Sequence, residues 1–243
     1  MYQNRRISIL HIPVDLLSEE ELEGAVKSLL EEDKPGQICL ITYLDIMKAQ
    51  FSREYMNCLR SSRLNIPITT SVVFAARYLK KEIPRVFNPF TFVIRLLGVL
   101  ESSGKSLYIL GSRKKNILKS ESNLKTSFPG LHIVGRYAGS FSPQEEKNII
   151  LAVHKSSPSL LLTGKGLKGN NLWLYRNRKD FPAGLSLWGR SCFEVFSGKS
   201  AKPVNSSTGR IIGKTLMSIL LPWRLLRHFL FFILLTIEKI KNR

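Results

Sequence analysis

Ser159 to Arg178, SLLLTGKGLKGNNLWLYRNR, joins a short apolar run to a glycine-spaced turn and then to a basic, aromatic-marked segment. Leu160, Leu161 and Leu162 form a continuous apolar run of the kind buried on both faces of a parallel sheet. Gly164 and Gly166 punctuate its end. In an open α/β sheet, ligands occupy the crevice beyond the carboxyl ends of the strands, and glycine lets the backbone approach them closely. The stretch therefore reads as a strand, a ligand-facing turn and a helix, with a plain strand-to-helix turn as the alternative.

Outward from it the same alternation continues. Ile7 to Ile12 reads as a first short strand, and Ser18 with Glu21 forms a capping box that opens a helix carrying Leu22, Ala25, Val26, Leu29 and Leu30 at helical spacing. Strands are expected over Ile38 to Ile41, Leu64 to Ile68, Ser106 to Leu110 and Leu131 to Val134. Helices are expected over Ile46 to Ser61, Val72 to Lys81, Phe90 to Ser103, Lys114 to Ser127 and Ser142 to Ser156. Strands alternating with helices predict βαβ units, hence an α/β fold: a Rossmann-like, mostly parallel sheet with helices on both faces. Residues 1–203 form that domain in this reading.

The chain has 243 residues, with 37 Lys and Arg against 18 Asp and Glu, a formal charge of +19 that asks for an anionic partner. From Lys199 onward nine basic residues face Glu238 alone, in the same segment that carries a nearly continuous apolar run from Ile211 to Ile237. Lys214, Pro222, Arg224, Arg227 and His228 interrupt that run, and Phe229 to Ile237 is too short to span a bilayer. Residues 204–243 are therefore expected to be a polar hinge followed by an amphipathic, membrane-associated appendage kinked at Pro222-Trp223, with a core-packed helix as the alternative. Nucleic acid is set aside as a partner, because the aromatics do not interleave with the basic residues as stacking platforms.

Cys39, Cys58 and Cys192 are widely spaced among apolar residues and read as buried thiols in a reducing compartment. The four histidines are scattered, which argues against a metal site built by the protein. MYQNRRISILHIPVDL lacks the long apolar stretch and small-residue cleavage site of a secretory leader. The expected location is cytoplasmic, peripheral on the inner face of the cell membrane.

From Phe128 onward the residues acquire a family likeness. Phe128-Pro129-Gly130-Leu131, Val134-Gly135, Gly139-Ser140-Phe141, Ser156-Ser157-Pro158 and Gly164-Lys165-Gly166 follow one another in the order and spacing of the WecG/TagA/CpsF glycosyltransferases, which the chain resembles over nearly its whole length. Leu107 to Gly111, Pro67 with Val72-Val73 and Ala75-Ala76-Arg77, Pro84 with Arg85-Val86, and Leu221-Pro222-Trp223-Arg224 extend the likeness on either side. The resemblance implies transfer of an N-acetylated amino sugar from a UDP-sugar to a polyprenyl-diphosphate-linked sugar, on a Rossmann-like domain whose appendage sits on the membrane and helps complete the site. It calls for no cofactor, implies an anionic membrane surface as a further partner, and leaves self-association into a homo-oligomer open.

The departures from the family pattern fall on its chemistry. Where the family has Asp-Gly, with the Asp as proposed base, the chain has Ile68-Thr69; its Thr-x-Asn falls on Leu40-Ile41-Thr42. Its Pro-Lys-Gln-Glu becomes Lys168-Gly169-Asn170-Asn171, and its Gly-Gly-x-Phe-Asp becomes Arg190-Ser191-Cys192-Phe193-Glu194. Isoleucine accepts no proton, so the standard base is missing. Glu194 is the carboxylate left at a matched position and reads either as a replacement acid/base or as a solvated or ion-paired residue. Asn170 and Asn171 read as ligands for nucleotide or sugar hydroxyls, or as helix caps. Lys165, Lys168, Arg176 and Arg178 read as a diphosphate cradle or as a solvated basic face. The matched positions add Thr42, Thr69, Arg85, Gly164, Gly166, Arg224 and Arg227 as substrate contacts. Trp173 reads as core, and Lys114, Lys115 and Lys119 as surface.

Overall fold

The structure, a computed structural model, describes residues 5–32, 34–167, 169–200 and 222–241. Six parallel strands form its sheet: β3 (Pro35–Ile41), β4 (Leu64–Pro67), β5 (Ser106–Leu110), β6 (His132–Tyr137), β7 (Leu160–Thr163) and β8 (Gly184–Trp188). Their spatial order is β4-β3-β8-β7-β5-β6. In β3, β5 and β7, alternate side chains serve different cores: Ile38, Leu40, Leu107, Ile109, Leu160 and Leu162 face one way, and Cys39, Ile41, Tyr108, Leu110 and Leu161 the other. Burial on both faces is why these strands read as unbroken apolar runs.

On the first face lie α1 (Glu19–Glu31), α5 (Pro89–Ser102), α6 (Lys114–Ser127) and α9 (Cys192–Phe196). The second face carries α2 (Tyr43–Phe51), α3 (Arg53–Arg60), α4 (Thr70–Tyr78), α7 (Pro143–Ser156), α8 (Asn171–Arg176) and α10 (Pro222–Lys241). The doubly covered parallel sheet is the expected one. All three cysteines are buried thiols, and Trp173 is buried.

Several local expectations are corrected. The first strand is a hairpin, β1 (Arg6–Ile9) and β2 (Ile12–Asp15), turned by Leu10 and His11 at φ 48° and 63°. Such a turn normally carries Asn or Gly, so Leu-His there is no hairpin signal. The helix expected over Ile46 to Ser61 is two helices, because Ser52 leaves helical geometry at φ −139° and its Oγ accepts from the Tyr55 amide at 3.2 Å. β8 is absent from the expected strands, yet it occupies the middle of the sheet. The expected kink at Pro222-Trp223 falls at the start of α10; Val204 to Leu221 lie outside the described residues.

Helix α10 packs Phe231 and Leu235 into the core of α2 and α4. Its buried Glu238 accepts from the Leu10 amide at 2.7 Å and pairs with Lys81 at 2.7 Å. Among the described residues, no helix is long and apolar enough to cross a membrane.

The capping boxes make an acid prediction. Ser18 donates its amide to Glu21, and Ser142 to Glu145, and these bonds hold both carboxyls below their ordinary value. A folded-state value below the unfolded one adds stability above about pH 4.3 that is lost as pH falls through the folded value. A Glu21→Gln, Glu145→Gln variant should therefore melt lower than wild type at pH 7, and the gap should narrow by pH 3. An equal gap at both pH values would refute this origin.

Candidate functional site

Strands β3 and β8 are neighbours, but the chain leaves them toward opposite faces, β3 into α2 and β8 into α9. Loops that diverge in this way open a crevice at the carboxyl ends of the two strands. Thr42 closes β3 and caps α2. Its amide and hydroxyl both donate to Asp45 Oδ2, at 2.8 and 2.7 Å. Tyr55 donates its hydroxyl to Asp45 Oδ1 at 2.6 Å, and burial and that carboxylate push the phenol upward. Arg190, just past β8, reaches across with Nη2 to Asp45 Oδ2 at 3.2 Å and to the Leu40 carbonyl at 2.8 Å. Its guanidinium lies over Trp188, 4.6 Å from the ring centroid. Asp45, Tyr55 and Arg190 are not among the site residues expected from the sequence. The Thr42 to Asp45 spacing is a legible capping signal; the other two arrive from distant elements.

The turns after β5, β6 and β7 form a second cluster, and glycine explains their closeness. A Cβ on Gly111, at φ 135°, would stand 2.6 Å from the Gly164 amide nitrogen. One on Gly139 would stand 2.7 Å from the Lys165 carbonyl oxygen, and one on Gly164 would stand 2.3 Å from the Phe193 ring. The space beside these glycines is filled by protein, so their bareness serves loop-on-loop packing. What the turn offers outward is Lys165, which is exposed. Lys168 lies outside the described residues.

Asn170 sits at φ 52° and makes no side-chain cap to α8, so it does not cap in that way. Asn171 is buried. Its carbonyl accepts from Gln37 at 3.0 Å, while neither end of its side-chain amide has a partner.

Glu194 stands in the same region. Its Oε1 accepts from Ser112 Oγ at 3.0 Å, and that oxygen in turn accepts from Asn116 at 3.3 Å. Oε2 is buried and has no hydrogen-bond partner. Burial, followed by the Glu194 charge, pushes the neighbouring Cys192 thiol up. Ile68 packs against the first hydrophobic core, whereas the adjacent Thr69 hydroxyl is buried without a partner.

Other expected contacts are engaged elsewhere. Arg85 is bonded to Glu19. Arg176 forms a two-pronged bond to Glu54 at 2.8 and 2.7 Å. Arg178 stacks on Tyr175 and lines a cavity of about 300 Å³ among the starts of β3 and β8, at the opposite end of the strands. Arg176 and Arg178 therefore do not join Lys165 in one diphosphate cradle. Arg227 is exposed on α10, and the Arg224 side chain lies outside the described set. His228, one residue on, stacks on Tyr43 at 4.6 Å and shares a 3.2 Å hydrogen bond with its hydroxyl, which brings the start of α10 beside Thr42. Among the described residues no group of three His, Cys, Asp or Glu side chains could hold a metal ion.

Among known proteins, residues 7–243 match the family model described as "Glycosyl transferase WecG/TagA/CpsF family". The chain is similar to the N-acetylglucosaminyldiphosphoundecaprenol N-acetyl-beta-D-mannosaminyltransferase of Bacillus subtilis (strain 168), with 23% identity over 172 residues, 71% of this chain and 66% of that protein. It is also similar to the protein of the same name from Bacillus spizizenii, with 23% identity over 171 residues, 65% of this chain and 66% of that one. The matches thus span just under two thirds of each relative's length.

Proposed function

Because the chain belongs to the WecG/TagA/CpsF family of glycosyl transferases, we propose that it transfers an N-acetylated amino sugar from a UDP-sugar to a polyprenyl-diphosphate-linked sugar in cell-envelope polysaccharide synthesis. The observation that carries this reading is Glu194, a carboxylate positioned by Ser112 through one oxygen and unpartnered at the other. Glu194 takes the proton of the acceptor hydroxyl as that oxygen attacks the anomeric carbon of the donor. The bond from that carbon to the diphosphate breaks, and UDP leaves with the electron pair. Lys165, exposed on the β7 turn, and Asn170 face the donor, while Gly164 and Gly166 let that turn pack closely on its neighbours; Thr42 and Thr69 lie across the crevice. A preorganised base and cations aimed at the departing diphosphate are the groups this chemistry requires.

The acceptor is a lipid, and α10 supports a membrane location. While Phe231, Leu235 and Glu238 face inward, Leu226, Phe229, Ile233, Ile237 and Ile240 are exposed at spacings that place them along one stripe. Such a stripe flanked by Arg227, Lys239 and Lys241 suits an anionic membrane surface on the cytoplasmic side. The full chain should cosediment with vesicles containing anionic lipid at physiological salt, and a chain ending at residue 221 should lose most of that binding. Equal binding by both would overturn this part.

Transfer is tested with UDP-N-acetylmannosamine and a polyprenyl-diphosphate N-acetylglucosamine acceptor. Product formation upholds the reading. The replacement of the usual base by Ile68 favours one other reading, a degenerate homologue that binds lipid-linked sugar or a partner enzyme. Ligand binding without turnover would establish that instead.

A further inference from the structure

We propose that the cavity at the starts of β3 and β8 is a second ligand site, for an aromatic monocarboxylate whose ring enters the cavity and whose carboxylate meets Arg178. The cavity holds about 300 Å³, at the lower end of the range for small-molecule sites. Gln37 of β3 and Leu185 and Ser186 of β8 line one side, and Val153 of α7, Leu161 of β7 and Phe181 add apolar wall. Arg178 is half-buried and Lys179 exposed, so two cations stand at its rim. No acid is among its described lining residues. An apolar interior with a cationic rim selects a ligand that has an apolar body and one negative end. The cavity opens at the amino ends of the strands, away from the crevice at their carboxyl ends, so its ligand is not a substrate of sugar transfer.

Arg178 decides the form of the negative end. Its Nη1 donates to the Tyr175 carbonyl, and its guanidinium stacks on the Tyr175 ring, 3.9 Å from the centroid. The Nε–Nη2 edge meets no acceptor among the described residues. That edge presents two parallel N–H groups, which match the two oxygens of a carboxylate. Arg176 uses the same edge on Glu54, at 2.8 and 2.7 Å. Because Tyr175 fixes the guanidinium plane, an incoming carboxylate orders no loose side chain. Phe181, Pro158 and Pro182 are stiff surfaces that suit a flat ring better than a flexible chain. Gln37 is buried; its Nε2 donates to the Asn171 carbonyl at 3.0 Å, and its Oε1 receives only the Cys58 thiol at 3.8 Å. A carboxamide has two N–H groups, so one remains for a polar substituent on the ring.

Calorimetric titration of the full chain with naphthoate and with its neutral counterpart naphthalenemethanol, at low salt, tests the site. Wild type should bind naphthoate at one site per chain and more tightly than the alcohol; no binding at millimolar naphthoate overturns the proposal. Arg178→Gln should weaken naphthoate by about tenfold or more, the scale of a lost charge-assisted bond, and leave the alcohol within about twofold. Naphthoate affinity that ignores Arg178→Gln, or an equal loss for both ligands, overturns the proposal, the second because it marks a structural role only. If Arg178→Gln melts lower than wild type, Arg178→Lys decides: affinity between the wild-type and glutamine values supports the site, and affinity equal to the glutamine value overturns it. Ser186→Leu narrows the cavity and should weaken both ligands; a folded variant that binds naphthoate as wild type does would place the ligand elsewhere and overturn the site. Should Ser186→Leu not fold, Arg178→Gln against the two ligands still decides. UDP should not compete with naphthoate, and competition would place naphthoate in the crevice and overturn the proposal.

Discussion

Glu194→Gln is expected to slow sugar transfer by about 10²–10⁴-fold, the usual loss when general-base assistance is removed. The substitution keeps the side chain's size, and glutamine can still accept from Ser112 Oγ through its own Oε1. It removes the capacity to take a proton and little else, so the fold and UDP affinity should stay near wild type. A loss confined to the turnover rate would mark an interaction made in the transition state. Ile68→Asp with Thr69→Gly is the complementary variant, because it returns an acid to the end of β4. Higher transfer in that variant would identify the site as a decayed form of the family's. Wild-type transfer that is already fast and remains fast in Glu194→Gln would refute the assignment.

Gly111→Ala should lower the melting temperature substantially without touching any reacting group. Residue 111 is at φ 135°, and its Cβ would lie 2.6 Å from the Gly164 amide nitrogen and 2.9 Å from the Gly164 Cα. The obstacle is backbone, which no rotamer change can move. Backbone strain and overpacking each cost about 1–3 kcal/mol, so a total of about 3 kcal/mol is expected. For a chain of this size that is roughly 6–12 °C in melting temperature. Gly98→Ala is the control: it lies within α5 with nothing within 4 Å of its Cβ, and removal of a helical glycine should stabilise by about 1 kcal/mol. Scanning calorimetry of the two variants should show shifts of opposite sign. A Gly111→Ala protein that melts with wild type would mean that the three turns can separate at little cost.

Sequence period makes most of the α/β alternation legible. Ser106 to Leu110 and Lys114 to Ser127 have the bounds that their patterns predict, because an apolar run or a 3.6-residue repeat between breakers is local information. The break at Ser52 is less clear, since serine is tolerated in a helix as well as at its cap. β8 escapes the pattern because GLSLW is short and starts with glycine; it becomes a strand by pairing with β3 on one side and β7 on the other. That pairing puts Arg190 beside Asp45, 145 residues away in sequence.

For the site, the fold partly disperses the residues that pattern brings together. Glu194 and Thr69 are legible as positions, but the idle oxygen of each emerges only when neighbouring groups are counted in space. Arg176 and Arg178 resemble part of a basic cradle beside Lys165 in the sequence, and the carboxylate of Glu54 and the ring of Tyr175 take them elsewhere. The glycines of the β7 turn suggest room for a ligand, whereas Phe193, Gly111 and Gly139 occupy that room.

By itself, the sequence determined the layered α/β class, the burial of the cysteines and the two-sided character of α10, since each follows from hydrophobic periodicity within one segment. Tertiary structure alone decided the strand order, the crevice between β3 and β8, and the join of Asp45, Tyr55 and Arg190. Those depend on contacts between segments far apart in the chain, for which no local pattern in this sequence carries a signal.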